Sequence, residues 1–227
     1  MLERTLALLA SLAIDKNGSD DIMSLGGCAA MLDCLDNAIS SKALESTAKA
    51  IARLAGNPRN VKDLVDCGAI ALLVASLQNS YASSESKAQA IDALAKVSGS
   101  PGFTQSTVDA GAIEGVVAAL AKDPGHSGLA TASLKYLVTL VHAGFDMQPV
   151  ADIDGSINAV VESMRGQPGN EGVQENGTVL LNGFATATGA VGNVPGSYPG
   201  FTRDQHVMAI LVQPRACRRS HRDGQVH

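Results

Sequence analysis

One short apolar unit occurs four times in this chain and restricts its fold more than any other feature. Each copy is centred on a glycine, and the four glycines are Gly26, Gly68, Gly111 and Gly155, spaced 42, 43 and 44 residues apart. The copies read LGGCAAMLDCL at 25–35, CGAIALLVASL at 67–77, AGAIEGVVAAL at 110–120 and DGSINAVVESM at 154–164. Self-similarity at a period of about 40 residues is typical of helical units stacked in an array.

Each copy carries an apolar stripe at helical spacing. In the second copy the stripe consists of Ile70, Leu73, Val74 and Leu77, which the spacing puts on one face of a helix. The corresponding residues are Cys28, Met31, Leu32 and Leu35, then Ile113, Val116, Val117 and Leu120, then Ile157, Val160, Val161 and Met164. A helix this short is unstable alone, so the units must bury their stripes against one another. The glycine suits a tight turn between two helices, where either a positive φ or a close approach of two backbones calls for glycine.

Two further helices complete the unit. A longer helix precedes each glycine, and an apolar residue marks the same place near its end in each copy: Leu12, Leu54, Val97 and Leu140, with Phe184 continuing the series. A short helix fills the remaining gap, and both Asn57-Pro58 and Ser100-Pro101 are typical starts for it. We therefore predict a partial repeat at 2–14 and repeats at about 19–55 (helices 19–25, 26–37, 41–55), 58–98 (58–66, 68–79, 84–98), 102–142 (102–109, 111–122, 128–142) and 146–186 (146–153, 155–165, 171–186).

This three-helix unit of about 42 residues, with its CGAI, AGAIEGVVAAL and GSINAVVESMR segments, resembles the armadillo repeat. The segment NEGVQENGTVLL at 170–181 is similar to the start of an armadillo third helix. The resemblance covers residues 1–187 and implies an all-α, right-handed superhelical solenoid. Long third helices would line its concave groove. Because the array begins in mid-repeat, we expect the chain to be a fragment of a longer repeat protein.

The pattern stops near residue 188. The segment 188–227 is first rich in Gly and Pro and then basic, with an apolar run at 207–212. Residues 1–200 hold 12 basic and 20 acidic side chains, whereas residues 201–227 hold five Arg and two Asp. We expect an irregular, disordered tail. One alternative is a basic peptide that binds nucleic acid or an import receptor. The other is translated sequence beyond a true exon boundary.

Composition restricts the function. The net charge of −5 argues against a general nucleic-acid binder or a binder of anionic membranes. The four cysteines form no CxxC pair, so we expect a reducing compartment, cytoplasmic or also nuclear, and no metal.

The apolar segment at 6–14 is too short to span a bilayer. Because no phosphate-binding loop, HExxH or GxSxG motif occurs, we expect no enzyme activity, no cofactor and no small-molecule substrate.

The resemblance places candidate partner-binding residues on the third helices. Nuclear import receptors of this family carry a groove ladder of Trp and Asn, but this chain has no Trp. The two ladder positions of each helix hold Ala7 and Ser11, Lys49 and Arg53, Asp92 and Lys96, Lys135 and Thr139, and Val179 and Gly183. The candidate groove site is therefore Lys49, Arg53, Asp92, Lys96, Lys135 and Thr139.

The basic members of this set resemble the charge arrangement of catenin-type grooves, which hold extended acidic peptides. A simple solvated polar face is the alternative interpretation of the same residues. We accordingly predict a non-catalytic scaffold that binds a protein or extended peptide, with an acidic segment as the candidate ligand. A regulatory or substrate-recruiting segment of a larger multidomain protein, and a nuclear transport adaptor, are the alternative functions.

Overall fold

The computed structural model describes residues 8, 11–13, 16–36 and 41–188, and within these ranges the protein is helical with no β-strand. The helices are α1 (Lys16–Ser24), α2 (Gly27–Asp36), α3 (Ser41–Leu54), α4 (Pro58–Asp66), α5 (Ala69–Gln78), α6 (Ser84–Ser98), α7 (Thr104–Asp109), α8 (Ala112–Lys122), α9 (Ser127–His142), α10 (Gln148–Asp152), α11 (Ser156–Gly166) and α12 (Glu171–Ala187). The predicted all-α fold is confirmed. The partial repeat at 2–14, apart from residues 8 and 11–13, and the tail beyond residue 188 lie outside the described residues.

The helices form four consecutive units of three: α1–α3, α4–α6, α7–α9 and α10–α12. The third helices α3, α6, α9 and α12 pack side by side in one layer, and the second helices α2, α5, α8 and α11 pack in another. One continuous hydrophobic core fills the space between the layers. Because each unit packs on its sequence neighbours, the architecture is a solenoid.

The four anchoring glycines all have positive φ, as their turn position predicts. The φ values are 75° at Gly26, 91° at Gly68, 80° at Gly111 and 84° at Gly155. At Gly111 the backbone N–H donates to the Val108 carbonyl oxygen at 2.9 Å, which ends the short helix before the next one begins. The second helices therefore begin one residue after the glycine, not at the glycine as predicted, because left-handed backbone cannot belong to an α-helix.

The predicted apolar stripes are largely in the core. All four stripe residues of α5 and all four of α8 are buried. In α11, Val160, Val161 and Met164 are buried, whereas Ile157 is only partly buried. The apolar residues that mark the ends of the third helices are fully buried, namely Leu54, Val97, Leu140 and Phe184, whereas Leu12 is 52% exposed.

One of the two predicted helix starts is confirmed and the other is wrong. The Asn57 side chain accepts a hydrogen bond from the Arg59 N–H at 3.2 Å, and Pro58 is the first residue of α4. Ser100 caps no helix, because its hydroxyl donates to the Lys96 carbonyl oxygen of the preceding helix. Gly102, with φ of 87°, then turns the chain, and α7 begins only at Thr104.

Polar side chains connect neighbouring units at the edges of the layers. The Ser86 hydroxyl donates to the Ser41 carbonyl oxygen at 2.8 Å, and the Ser83 N–H donates to the Ser41 hydroxyl at 3.0 Å. The Asn60 amide donates to the Ser19 hydroxyl in the preceding unit. The Asn60–Ser19 bond is buried and the Ser86–Ser41 bond is partly buried, so these two bonds satisfy groups that packing would otherwise leave without partners, whereas the Ser83–Ser41 bond is exposed.

Helix α12 has polar side chains at two positions where α9 has apolar ones. In α9, Leu134 and Val138 are buried, but the equivalent residues one unit later, Thr178 and Asn182, are exposed. The side chains at these positions in α12 therefore remain compatible with water, whereas those of α9 require a packing partner.

Replacing Ile113 with Asp should strongly destabilise the array. Ile113 is 4% exposed, so the variant buries an unpaired carboxylate and loses an aliphatic contact, at a cost of about 3–5 kcal/mol in the free energy of unfolding. Ala118→Asp on the exposed side of the same helix is the matched control. Urea unfolding measures both variants, and an unchanged midpoint for Ile113→Asp contradicts the burial of this helix face.

Replacing Gly111 with Ala tests the turn itself. A Cβ at Gly111 would meet only the Glu114 carboxylate at 3.8 Å, so the expected cost of about 1–2 kcal/mol comes from the positive φ. Gly169→Ala is the control, because Gly169 has open space and no positive φ. Thermal unfolding should show a clearly lower Tm for Gly111→Ala alone; equal Tm values for the two variants contradict a strained turn.

Candidate functional site

The candidate residues lie on the third-helix face, by which we mean the solvent-facing surface of α3, α6, α9 and α12. On α3, Lys49 is exposed and Arg53 is partly exposed. On α6, Asp92 and Lys96 are both partly exposed. On α9, Lys135 is exposed and Thr139 is partly exposed. This placement follows from the buried stripes, because a helix that buries one side leaves residues of the opposite side in water.

Asp92 connects two of the predicted basic residues. Its Oδ2 atom lies 3.0 Å from the Nζ atom of Lys96, one turn later on α6, and its Oδ1 atom lies 3.1 Å from the Nζ atom of Lys135 on α9. The Asp92 side chain is only 30% exposed, whereas that of Lys135 is 53% exposed. One carboxylate therefore binds two ammonium groups and joins neighbouring units.

The ionisation of Asp92 reflects this environment. Burial alone would raise the pKa of its carboxyl group, but the hydrogen bonds and positive charges of Lys96 and Lys135 outweigh burial and lower the pKa below its ordinary value. Asp92 is therefore ionised throughout the neutral range, and the bridge to both lysines persists there.

The α3 part of the face is arranged differently. Lys49 and Arg53 lie one helical turn apart, and the nearest acidic residue along the helix, Glu45, pairs with Lys42 at 3.0 Å. Among the described residues, no carboxylate forms an ion pair with Lys49. Lys49 therefore presents its ammonium group to solvent, in contrast to the equivalent position on α6, which is Asp92.

Thr139 makes a local contact. Its hydroxyl donates to the Lys135 carbonyl oxygen at 2.9 Å, so the donor is used within α9. The hydroxyl oxygen keeps acceptor capacity for a ligand N–H group. Thr139 therefore contributes no positive charge to the face but can accept a hydrogen bond.

The positive character of the face ends at α12. The positions that correspond to Lys135 and Thr139 are Val179 and Gly183, and Glu175 lies exposed one turn before Val179. The basic part of the face is therefore confined to α3, α6 and α9. The sequence analysis did not single out Glu45 or Glu175. Each lies one helical turn before a candidate groove position of its helix, Lys49 on α3 and Val179 on α12.

Charge is distributed unequally between the third helices and the remainder of the units. Helices α3, α6 and α9 carry six basic residues (Lys42, Lys49, Arg53, Lys87, Lys96, Lys135) against three acidic ones (Glu45, Glu85, Asp92). Between residues 55 and 170, the part of the chain outside α6 and α9 carries nine acidic and four basic side chains. Helix α12 carries Glu171 and Glu175 and no basic residue, so the field attracts anionic groups to α3, α6 and α9 and not to every third helix.

Metal-binding clusters and membrane-spanning helices are both absent from the described ranges. No three His, Cys, Asp or Glu side chains of these residues lie close enough to hold a metal ion. No helix in the same part of the chain is long and apolar enough to cross a membrane.

Known proteins resemble this chain in structure. No family model matches its sequence, and no curated protein matches it. A designed armadillo repeat protein covers 92% of this chain and 91% of its own, at 19% identity and a TM-score of 0.67. A second design, solved in complex with the peptide (KR)4, covers 79% of this chain and 91% of its own at 20% identity and a TM-score of 0.54. The Plasmodium falciparum protein ARO (armadillo repeats only) covers 80% of this chain and 79% of its own at 18% identity and a TM-score of 0.56.

These similarities define the class of structure: the protein is an all-helical solenoid. More specifically, it has the armadillo-repeat fold, as the sequence resemblance implied. At identities of about 20% the similarity concerns the fold, and function must be argued from the residues of this chain.

Replacing Asp92 with Asn should reduce stability only in neutral buffer. The ion pairs are partly exposed, so the expected loss in the free energy of unfolding is less than about 1 kcal/mol. Because the folded pKa is lowered, this contribution is present above the unfolded pKa of about 4 and disappears as pH falls through the folded pKa. Urea unfolding of both proteins in neutral and strongly acidic buffer measures the difference; a difference that persists in acid contradicts an ionic origin.

Proposed function

We propose that this protein is a non-catalytic scaffold that binds an extended acidic peptide segment of a partner protein along its third-helix face. The observation that carries the proposal is the concentration of basic side chains on α3, α6 and α9 of an otherwise acidic solenoid. Complementary charge guides encounter and excludes partners of the wrong sign. We expect the protein to act in a reducing compartment, cytoplasmic or nuclear, because Cys28 and Cys67 are free thiols.

The repeat spacing suits an extended ligand. Neighbouring packed helices have axes about 8–10 Å apart, and an extended peptide advances about 3.3 Å per residue. Every third residue of such a peptide can therefore meet the next third helix. Acidic residues at that interval would successively approach Lys49 on α3, Lys96 on α6 and Lys135 on α9.

The sign of the ligand charge follows from this chain's own residues. The design solved with (KR)4 supports peptide binding as an activity that the armadillo fold can provide. A basic peptide on this chain would meet like charges at Lys49, Arg53 and Lys96, which is unfavourable. The chain also lacks Trp, so the aromatic ladder of import receptors is absent. We therefore propose an acidic ligand and not a basic one.

Magnitudes indicate weak, salt-sensitive binding. Each exposed ion pair contributes about 0.2–1 kcal/mol, and exposed charges are screened beyond about 8 Å at physiological ionic strength. Several such pairs together with apolar contacts would approach the roughly −8 kcal/mol of micromolar affinity. Binding should accordingly weaken as ionic strength rises.

Reversing the basic residues of the face should abolish capture of an acidic peptide. The test variant replaces Lys49, Arg53, Lys96 and Lys135 with Glu, and the matched control replaces four exposed basic residues elsewhere, Arg59, Lys62, Lys122 and Arg165, with Glu. Both variants change the net charge equally. Fluorescence anisotropy with a 12-residue peptide carrying Glu at every third position should show at least about tenfold weaker binding for the test variant only.

Two further measurements make this result decisive. A peptide with Lys in place of Glu should not bind the wild-type protein, and circular dichroism should show that both variants keep their helical content. Equal weakening in the two variants would indicate attraction by overall charge, and unchanged binding in the test variant would place the ligand elsewhere. Either outcome contradicts the proposed role of the third-helix face.

A further inference from the structure

Asp92 is an acidic residue at the centre of a surface that otherwise attracts anions. We propose that Asp92 is a specificity-determining residue, an internal anion that occupies Lys96 and Lys135 and so confines strong recognition of ligand carboxylates to the α3 part of the face. The proposal rests on the proposed function and specifies which acidic peptides the face accepts.

The geometry gives Asp92 an advantage over an incoming ligand. Its two oxygens lie 3.0 and 3.1 Å from the two ammonium groups, at hydrogen-bond distance to both. A ligand carboxylate that approaches Lys96 or Lys135 must displace this bond or share its donor. Asp92 belongs to the same chain as the two lysines and is partly buried. It therefore binds their ammonium groups without the loss of translational freedom that a free peptide undergoes on binding.

Lys49, on α3, has no such competitor among the described residues. The helical neighbour Glu45 is 3.0 Å from Lys42, and the position that corresponds to Asp92 is itself a basic residue, Lys49. A ligand carboxylate at Lys49 therefore displaces no described ion pair. At the opposite end, α12 has Val179 in this position and an exposed Glu175, which disfavours a further acidic group.

The face is consequently polarised along the solenoid. A peptide whose acidic residues are clustered over α3 would bind with little competition, and its remainder would lie over α6 and α9 with neutral side chains. A peptide with acidic residues distributed along its whole length would have to displace Asp92. Substituting Asp92 with Asn keeps the size of the side chain and removes its charge, so Lys96 and Lys135 become available.

The experiment compares two peptides of identical composition with the wild-type protein and with Asp92→Asn. One peptide has its Glu residues clustered in one half, and the other has them at every third position. For the distributed peptide we expect Asp92→Asn to lower the Kd by about 2- to 10-fold and to steepen the dependence on salt. For the clustered peptide we expect a change below about twofold.

Two control variants accompany it. Asp109→Asn removes an exposed carboxylate on α7, which accepts a hydrogen bond from Gln105, and should leave both Kd values unchanged. The triple variant Asp92→Asn, Lys96→Gln and Lys135→Gln should lose the gain for the distributed peptide, because the released lysines supply it. Circular dichroism melts establish that each variant is folded, and Asp92→Ser replaces Asp92→Asn should the latter unfold.

The outcomes separate this inference from the proposed function. If the wild-type protein binds acidic peptides and Asp92→Asn binds both with unchanged Kd, Asp92 is not a determinant and the scaffold function stands. If Asp92→Asn lowers the Kd of the distributed peptide and leaves that of the clustered peptide unchanged, the inference is supported. If neither protein binds either peptide, the proposed function and the inference both fail.

Discussion

Mutual burial of apolar stripes is the interaction on which the rest of this structure depends. Second helices such as α8, with 11 residues, are too short to be stable alone, so Ile113, Val116 and Leu120 become ordered only against neighbouring helices. Each unit packs on the next through the same positions, and the positive-φ glycines turn the chain so that this packing can repeat. Loss of one stripe therefore affects the adjoining units as well.

Small side chains control how closely the third helices approach. Ala50, Ala90, Ala93 and Ala130 are completely buried in this layer. Side chains without bulk allow helix axes to come near each other. The close approach brings Asp92 of α6 within 3.1 Å of Lys135 on α9, although 43 residues separate them in sequence. The packing of the core thus determines which charges meet on the surface.

The third-helix face combines exposed basic side chains with a carboxylate, Asp92, that is held by two lysines. The packed layer below supplies a rigid support, while exposed ammonium groups such as that of Lys49 can adapt to a ligand. Asp92 reduces the positive potential at the middle of the face, so attraction is unequal along the solenoid. The armadillo fold supplies the repeated surface, and a few substitutions on it determine what each such protein can bind.

The sequence by itself determined the repeat period, the buried stripes, the glycine turns and the basic residues of the face. The period, the stripes and the turns are local and periodic, so residue spacing predicts them, whereas the resemblance to the armadillo repeat implied the groove positions of the basic residues. The wrong helix start at Ser100-Pro101 shows the limit of that method, since a hydrogen bond to Lys96 competes with capping. The Asp92–Lys96 pair lies at i, i+4 spacing on one helix, but only the tertiary structure decided that Asp92 also binds Lys135 on α9 while Lys49 faces solvent. That choice depends on distances between side chains on neighbouring helices, which packing sets and sequence spacing does not contain.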